Sequence, residues 1–360
     1  HVAWLIDKVD YIFLPVYLEA RDKDFEAESN YCYYTQFSPS VVSVSGDSGF
    51  MKKFLTPLLN YSKGIKSVRN ELWNCLKPIF NTSITDVELN AALDEALYFY
   101  NRKKETLKYI FNQDFEKSPD IAVVLVGRPY LILSPHMNKG IPDIIGGMGI
   151  RTCFQDMLVY NHQDYSDIDY LLKVFPWYYA ANILETAKVT AVTKNLYPVL
   201  MTAFKCAPDS FLIDYFKKIM DAYQKPYLIL QIDEHDSNVG YETRIEAGIR
   251  SFRNHAAFDH QYVKPVLPII TPPEKSIYAR KTIIFPNWDQ LVAPLLVANL
   301  RKQGLDVRLL EPDDEIIRKS MVHNTGQCLP LNIITQEFIE FIKKNNLDPA
   351  DTMLWMVETK

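Results

Sequence analysis

The residues most suited to chemistry are cysteines that come just after predicted strands or turns. Cys206 follows the predicted strand 197–204, and the residues 208–210 then open a predicted helix. A helix N-terminus carries partial positive charge and unpaired N–H groups, which favour the thiolate that binds metals. Cys328 follows a turn and precedes a predicted helix in the same way. The alternative for each is a small buried hydrophobic side chain, which is the commoner role of a free cysteine.

A second group of reactive side chains is acidic. Asp233, Glu234, His235 and Asp236 follow the mostly apolar predicted strand 227–232. Carboxylates and an imidazole there can exchange protons with a bound ligand or hydrogen-bond to it. Ligands of open α/β sheets bind beyond the carboxyl ends of the strands, which is where this segment is predicted to lie. A solvated loop with local ion pairs is the alternative, and composition alone favours it.

Two arginines extend this set. Arg128 comes directly after Gly127 at the end of the predicted strand 121–126, and its planar guanidinium suits a phosphate or a carboxylate. Arg244 lies on the predicted helix 242–252. The segment around Gly127 is not GxGxxG, so the dinucleotide-binding fingerprint is absent. A plain turn after the strand is the alternative for Arg128.

Composition narrows the class of protein. The 360 residues include five cysteines with wide spacing and no CxxC pair, which argues against a disulfide framework and a zinc finger. A reduced, cytoplasmic setting is therefore expected, and no signal peptide is apparent after His1. A net charge of −5 argues against a broad nucleic-acid surface. No run of about eighteen apolar residues predicts a membrane span.

Strands and helices alternate along the chain, which predicts an α/β protein with two or three doubly wound, Rossmann-like or flavodoxin-like domains and parallel sheets. Val9–Pro15 and the all-apolar run 121–126 are predicted as buried strands. Thr85 and Glu88 predict a capping box that opens a helix reaching about Phe111. The predicted domains are 1–118, 119–272 and 273–360, the first and last incomplete, with the proline-rich segment 263–275 as linker.

Five segments, in order and spanning nearly the whole chain, carry a resemblance. They are NYCYY (30–34), GRPY…KGIP (127–142), CAPDSF (206–211), DEH…GYETRIEA (233–247) and QCLPLNIIT (327–335). Together they resemble the 2-hydroxyacyl-CoA dehydratase/benzoyl-CoA reductase family of iron–sulfur proteins. Within it the chain looks like the C-terminal portion of the large CoA-substrate-specific enzyme activases, of the 2-hydroxyglutaryl-CoA dehydratase activator type, in which actin-like ATPase domains precede such a portion.

The resemblance implies that cysteines from several strand ends hold a [4Fe–4S] or related cluster. ATP hydrolysis on an actin-like ATPase domain, in the same or a partner chain, would drive an electron onto it at low potential, for reduction or dehydration of an acyl-CoA. The oligomeric state is left open, a homodimer included.

The resemblance also implies roles for particular residues. The expected metal ligands are Cys32, Cys206 and Cys328; the expected catalytic groups, which would assist protonation, are Glu234 and His235; the expected groups around the cofactor or a phosphate are Arg128, Asp209, Ser210 and Arg244. Cys75 and Cys153 match no family cysteine and are expected to be structural.

The sequence departs from the family pattern at several points. Lys205 and Ala207 stand where two glycines usually flank the middle cysteine, Leu131 replaces a histidine, and Tyr33 replaces the proline after the first cysteine. The family's outer Cys-Phe-Pro and Pro-Cys-Arg segments are not reached. We expect from this either a piece of a longer protein or an altered cluster site.

Two other functions remain open from the sequence. One is a non-catalytic scaffold that retains the fold and docks an actin-like ATPase, which the altered glycines favour. The other is a metal-free enzyme for a small molecule that uses Asp233, Glu234 and His235.

Overall fold

The computed structural model describes residues 2–20, 29–44, 50–80, 84–116, 120–161, 165–203, 206–232, 238–258, 280–311, 313–323 and 329–356. The chain divides into two units, one made of residues 1–203 and 212–267 and the other of 204–211 and 268–360. The predicted linker 263–275 lies outside the described residues. The predicted domain boundaries after residues 118 and 272 stay predictions.

Two short pairs of parallel strands begin the first unit. The strands are β1 Ile12–Phe13, β2 Val16–Glu19, β3 Phe54–Leu55 and β4 Leu58–Asn60, with β1 beside β3 and β2 beside β4. The predicted buried strand Val9–Pro15 is wrong in its extent and in its burial. Pro15 has no N–H for the ladder and the chain pairs again only from Val16, and Tyr11 and Phe13 are exposed by 47% and 50%. Pro57 interrupts the partner strands at the same level, and its carbonyl oxygen accepts the Val16 N–H at 3.0 Å.

The helices of this part are α1 Val2–Leu5, α2 Tyr33–Gln36, α3 Ser38–Val44, α4 Ile65–Phe80 and α5 Asp86–Glu116. The predicted capping box before α5 is confirmed. The Thr85 N–H donates to a Glu88 carboxylate oxygen at 2.8 Å, and the Glu88 N–H donates to Thr85 Oγ1 at 3.3 Å. These bonds satisfy N–H groups that the first turn of a helix cannot pair internally, and so fix where α5 begins.

A four-stranded parallel sheet forms the centre of the first unit. Its strands are β5 Ala122–Gly127, β6 Arg151–Phe154, β7 Leu196–Ala203 and β8 Leu228–Ile232, in the order β6-β5-β7-β8. The helices between and after them are α6 Pro129–Ile132, α7 Ile141–Gly147, α8 Asp169–Val174, α9 Tyr178–Val192, α10 Ala207–Ala222 and α11 Asn238–Ala257. This strand order is that of flavodoxin-like folds. The chain adds β6 on one side of β5 and β7 on the other, so the topological switch point lies between β5 and β7.

Helices cover both faces of this sheet. Val124 and Val126 of β5 face a core built with α9 and α10, and Val123 and Leu125 face a core built with α6, α7 and α11. All four valine and leucine side chains are fully buried. A strand buried on both faces needs an unbroken apolar run, and this is why the run was visible in the sequence. The predicted doubly wound α/β fold with parallel sheets is confirmed.

The second unit contains a three-stranded parallel sheet. Its strands are β9 Thr282–Phe285, β10 Val307–Leu309 and β11 Thr352–Leu354, in the order β10-β9-β11, and its helices are α12 Val292–Lys302, α13 Asp314–His323 and α14 Leu329–Lys344. Ala293 and Val297 of α12 pack against Ile283 and Phe285 of β9. Gly304 follows α12 at its C′ position with a φ of +83°, a backbone conformation that favours glycine. None of the described helices has the length and apolar character required to cross a membrane.

A buried lysine lies beside the amino ends of β7 and β8. Lys225 is 6% exposed, and its Nζ donates a hydrogen bond to the Thr193 carbonyl oxygen at 2.6 Å. The ammonium lies 4.4 Å from the centre of the Tyr197 ring. Burial lowers the pKa of Lys225 from 10.5 to about 8, because the charged form loses its hydration.

We predict that Lys225 makes the protein more stable as the pH rises from about 8 to about 10.5. In that range the unfolded chain still binds a proton that the folded chain has released, so a rise in pH favours the folded state. The lowered pKa corresponds to roughly 3 kcal/mol of unfolding free energy across the range, at about 1.4 kcal/mol per pH unit. Urea unfolding of the wild type and of Lys225→Met at several pH values measures this. The difference in unfolding free energy between the wild type and Lys225→Met should change by this amount over the pH range. A difference that stays constant with pH would contradict the prediction.

Candidate functional site

The carboxyl ends of the four central strands lie along one edge of the sheet, because the strands are all parallel. We call this the carboxyl edge; its last strand residues are Gly127, Phe154, Ala203 and Ile232. Arg128, Cys206 and the acidic segment 233–236 follow β5, β7 and β8 along the chain. The strands predicted before these residues are therefore confirmed. The switch point between β5 and β7 is where folds of this kind bind ligands.

Gly127 allows the ends of β5 and β7 to come together. It pairs with Met201 in the ladder, and a Cβ at Gly127 would lie 2.5 Å from the Met201 carbonyl oxygen and 3.0 Å from Cγ2 of Ile132. Its N–H donates to Oε1 of the buried Gln155, just after β6, at 3.0 Å. One glycine therefore joins the ends of three strands, and a larger residue does not fit there.

Arg128 places a buried positive charge next to the switch point. It is 2% exposed and precedes the short helix α6 as its N-cap residue. Its guanidinium carbon lies 5.9 Å from the centre of the Tyr179 ring, in cation–π contact. Burial and neighbouring Tyr178 and Asp156 raise the pKa of Tyr179 to about 12, while the charge of Arg128 acts in the opposite direction. The arginine thus lies in an interior, aromatic setting rather than at an exposed turn.

Tyrosine side chains join this arginine to the segment that carries Cys32. Tyr31 lies 5.6 Å from Tyr17, 5.7 Å from Tyr178 and 5.6 Å from Tyr179, measured between ring centres. We call these four residues the tyrosine cluster. The backbone holds them together, since the Asn30 N–H donates to the Pro176 carbonyl oxygen at 2.7 Å and the Asn30 carbonyl oxygen accepts the Tyr178 N–H at 2.9 Å.

Three hydroxyls of the tyrosine cluster, those of Tyr17, Tyr31 and Tyr179, stay protonated. Burial raises the pKa of Tyr31 far above its usual range, and the neighbouring Tyr179 and Tyr178 raise it further. Burial likewise raises the pKa of Tyr17. A neutral phenol can donate a hydrogen bond, so the cluster offers donors and apolar ring surface together.

Cys32 adjoins the tyrosine cluster through Tyr31. It is half-buried, forms no disulfide, and precedes the short helix α2 as its N-cap residue. Its Sγ lies 3.3 Å from Oγ1 of Thr35, close enough for a hydrogen bond to the sulfur. The structure thus connects the predicted ligand Cys32 with the predicted cofactor-binding residue Arg128 through Tyr31 and Tyr179.

The second unit holds the other described thiol of the predicted ligand set. Cys206 is half-buried, forms no disulfide, and comes directly before α10. The backbone N–H and Oγ of Ser210 both donate to the Cys206 carbonyl oxygen, at 3.0 and 3.1 Å. Asp209, in the first turn, is 3% exposed. The helix begins at Ala207, one residue before the predicted opening at 208–210, and the Cys206 carbonyl accepts its first helical hydrogen bond.

The remaining predicted site residues are not part of the arrangement around Arg128 and the two described cysteines. Arg244 is exposed on α11. The predicted catalytic groups Glu234 and His235 and the predicted ligand Cys328 lie outside the described residues.

The two cysteines expected to be structural differ from Cys32 and Cys206. Cys153 is buried in β6 and its Sγ donates to the Val123 carbonyl oxygen at 3.5 Å. Burial raises its pKa to about 12, so it stays a protonated thiol. Burial also raises the pKa of the half-buried Cys75. Neither environment favours the thiolate that a metal requires.

The described residues provide ligands of the right chemical type for a cluster, but not a complete set. Cys32 and Cys206 are free, half-buried thiols. Within the ranges that the structure covers, no three His, Cys, Asp or Glu side chains are grouped so that they could hold a metal ion. A cluster held by the predicted ligands therefore depends on Cys328.

The fold and the carboxyl edge define an α/β protein with a flavodoxin-like central sheet and a topological switch point between β5 and β7. Residues 1–158 match a protein family described as "CoA enzyme activase uncharacterised domain (DUF2229)". The matched range includes Cys32, Gly127 and Arg128 and extends past β6. This match relates the chain to CoA enzyme activases. Searches of curated proteins and of solved structures gave no match.

Sequence reasoning missed the tyrosine cluster and Gln155. The cluster brings together residues far apart in the chain, which no local pattern predicts. One signal was present: Trp177, Tyr178 and Tyr179 form an aromatic run where a helix begins. Gln155 is an ordinary polar residue in sequence, and only its contact with Gly127 distinguishes it.

We predict that Gly127→Ala destabilises the protein by about 2–3 kcal/mol, because the added methyl group overlaps the Met201 carbonyl oxygen and the backbone must move. Gly146→Ala is the matched control. Gly146 lies in α7, and no atom comes within 4 Å of the place where a Cβ would be, so alanine should be neutral or stabilising there by up to about 1 kcal/mol. Urea unfolding of both variants measures this, and equal effects at the two glycines would contradict the close approach.

Proposed function

We propose that the chain is the iron–sulfur portion of a protein of the CoA enzyme activase type. It would pass single electrons at low potential, driven by ATP hydrolysis on an actin-like ATPase domain, for reduction or dehydration of an acyl-CoA. The observation that carries this proposal is the carboxyl edge: Arg128 lies at its switch point, and Cys206 and the acidic segment 233–236 follow its strands. The relation of residues 1–158 to CoA enzyme activases supports the same class.

Cys32, Cys206 and Cys328 are the proposed ligands of the cluster. An iron–sulfur cluster held by three thiolates would supply one-electron chemistry and keep one iron open to substrate or water. Cys206 gains thiolate character from its position at the N-terminus of the 16-residue helix α10. For Cys32, the Thr35 hydroxyl 3.3 Å away can donate a hydrogen bond to the sulfur.

The buried surroundings of Cys32 and Arg128 suit an anionic group. A negative charge is costly to bury unless a positive charge or hydrogen-bond donors compensate it. Arg128 supplies the positive charge, and the neutral hydroxyls of the tyrosine cluster supply donors. Burial and hydrogen bonds to sulfur are also what set the potential of such clusters. A phosphate group of an acyl-CoA would be held by the same residues for the same reasons.

The other predicted residues take supporting roles in this proposal. Glu234 and His235 would move protons during elimination of water as general acids or bases. Asp209 and Ser210 would hold the helix start that carries Cys206, and the exposed Arg244 would contact substrate phosphate.

We predict that anaerobic reconstitution with iron and sulfide gives a brown protein that absorbs near about 400 nm. Cys32→Ser, Cys206→Ser and Cys328→Ser should each lose most of this band and of the bound iron, because a hydroxyl is a poor ligand for the cluster. Cys75→Ser is the matched control, since Cys75 is also a half-buried free thiol and is not a proposed ligand.

Two results would reject the cluster. If the wild type stays colourless under reconstitution, the result favours the non-catalytic scaffold function instead. If Cys75→Ser loses as much iron as Cys206→Ser, the iron is bound to exposed thiols without a specific site. Iron and acid-labile sulfide assays report this directly, so the test does not depend on finding the substrate.

A further inference from the structure

Helix α5 is long and carries apolar side chains on the side that faces solvent. It has 31 residues, Asp86–Glu116, and no described residue of it is buried. One side is half-buried and packs on the rest of the first unit; it includes Leu93, Leu97 and Phe111. On the opposite side of the helix large apolar side chains are exposed: Val87 by 76%, Tyr98 by 67%, Phe99 by 60%, Tyr109 by 65% and Ile110 by 41%. Tyr100 and Leu107, nearer the packed side, are exposed by 57% and 38%.

These exposed side chains form two rows along the helix. Val87, Tyr98 and Tyr109 follow one another at a spacing of eleven residues, and so do Phe99 and Ile110. Eleven residues are about three turns of an α-helix, so each row runs nearly straight along the axis. The two rows flank the line opposite the packed side. Exposed apolar side chains that recur along one side of a helix in this way are typical of a protein contact.

Charged residues lie between the two rows in a self-complementary order. Glu95 and Arg102 are exposed, and in the part of the chain that the structure describes neither forms an ion pair. Both are equally far along the helix from the point midway between Tyr98 and Phe99. A 180° rotation about a two-fold axis through that point, perpendicular to the helix, reverses the helix direction. It brings Glu95 to the level that Arg102 occupied. The surface therefore matches a second copy of itself laid antiparallel.

We propose that two copies of this chain associate through α5, antiparallel, with a two-fold axis between Tyr98 and Phe99. We call the contacting residues the α5 stripe: Val87, Glu95, Tyr98, Phe99, Arg102, Tyr109 and Ile110. Glu95 of each copy faces Arg102 of the other, so the pair occurs twice. The row of Val87, Tyr98 and Tyr109 meets the same row of the second copy, so Val87 of each copy lies beside Tyr109 of the other. In the second row, Phe99 of one copy meets Phe99 of the other.

The size of the α5 stripe fits a weak, specific dimer. From Val87 to Ile110 the helix is about 35 Å long at 1.5 Å per residue. A helix pair of that length buries on the order of 1,000 Å² in total, near the lower limit for specific interfaces, so a dissociation constant in the micromolar range is expected. An interface with two-fold symmetry closes on itself and stops at the dimer. The proposal is independent of the iron–sulfur cluster.

Sedimentation velocity of the full 360-residue chain over a range of concentrations tests the dimer. The wild type should change from monomer to dimer as its concentration rises through the micromolar range. The double variant Tyr98→Glu/Phe99→Glu should raise the dissociation constant at least about 30-fold, since it buries four carboxylates at the axis. Leu295→Glu is the control, because Leu295 is equally exposed, at 71%, but lies on α12 in the second unit; it should leave association unchanged.

A charge exchange tests the antiparallel register. Arg102→Glu alone and Glu95→Arg alone should each weaken the dimer about 10-fold, because each sets like charges against each other twice. The combined exchange Glu95→Arg/Arg102→Glu should restore the dissociation constant to within about 3-fold of the wild type. These positions are exposed, so circular dichroism should show unchanged helix content in every variant. A wild type that stays monomeric, or a combined variant no better than the single ones, would overturn the proposal.

Discussion

The close approach of β5 and β7 at Gly127 is the constraint on which the candidate site depends. With the Met201 carbonyl oxygen 2.5 Å from the position of a Cβ, only glycine permits the two strands to pair to their ends. Gln155, which follows β6, accepts a hydrogen bond from the Gly127 N–H and so joins the end of β6 to the same residue. Because three strands end together, the next residue, Arg128, enters the interior instead of reaching solvent. A buried charge is costly, and here an aromatic ring and an ordered backbone surround it. This placement puts a buried positive charge at the switch point, which is what the proposed anionic ligand requires.

The tyrosine cluster extends this constraint to the N-terminal part of the chain. Segment 29–31 is held to residues 176–178 by backbone hydrogen bonds, and the rings of Tyr31, Tyr178 and Tyr179 pack over them. A cysteine next to such a segment has a fixed position relative to Arg128. The match to CoA enzyme activases ends at residue 158, before Tyr178 and Tyr179. The contact therefore joins the matched range to later residues within the same unit.

Sequence patterns predicted the elements well where local physics decides them. The run 121–126 had to be a doubly covered strand, and Thr85 with Glu88 had to begin a helix. The strand Val9–Pro15 was predicted too long, because the pattern of apolar residues continued while Pro15 removed the ladder donor. Residue types at the site were visible too, such as Arg128 after its strand. The tyrosine cluster and the link between Gly127 and Gln155 were not, because they join segments distant along the chain.

Helix α5 connects the site with the proposed association. Tyr98, Phe99 and Tyr100 are consecutive, and each is turned by about 100° from the one before. Tyr100 is close enough to Tyr61 and Tyr179 to raise their pKa, so it points toward the side of the helix that faces the tyrosine cluster. Tyr98 and Phe99, which leave the helix in other directions, are exposed by 67% and 60%, and Tyr100 is itself exposed by 57%. Since a helix with its side chains is about 10 Å thick, a second copy on the outer side would not touch the cluster. Association through the α5 stripe would therefore use a different side of α5 from the one that faces the tyrosine cluster.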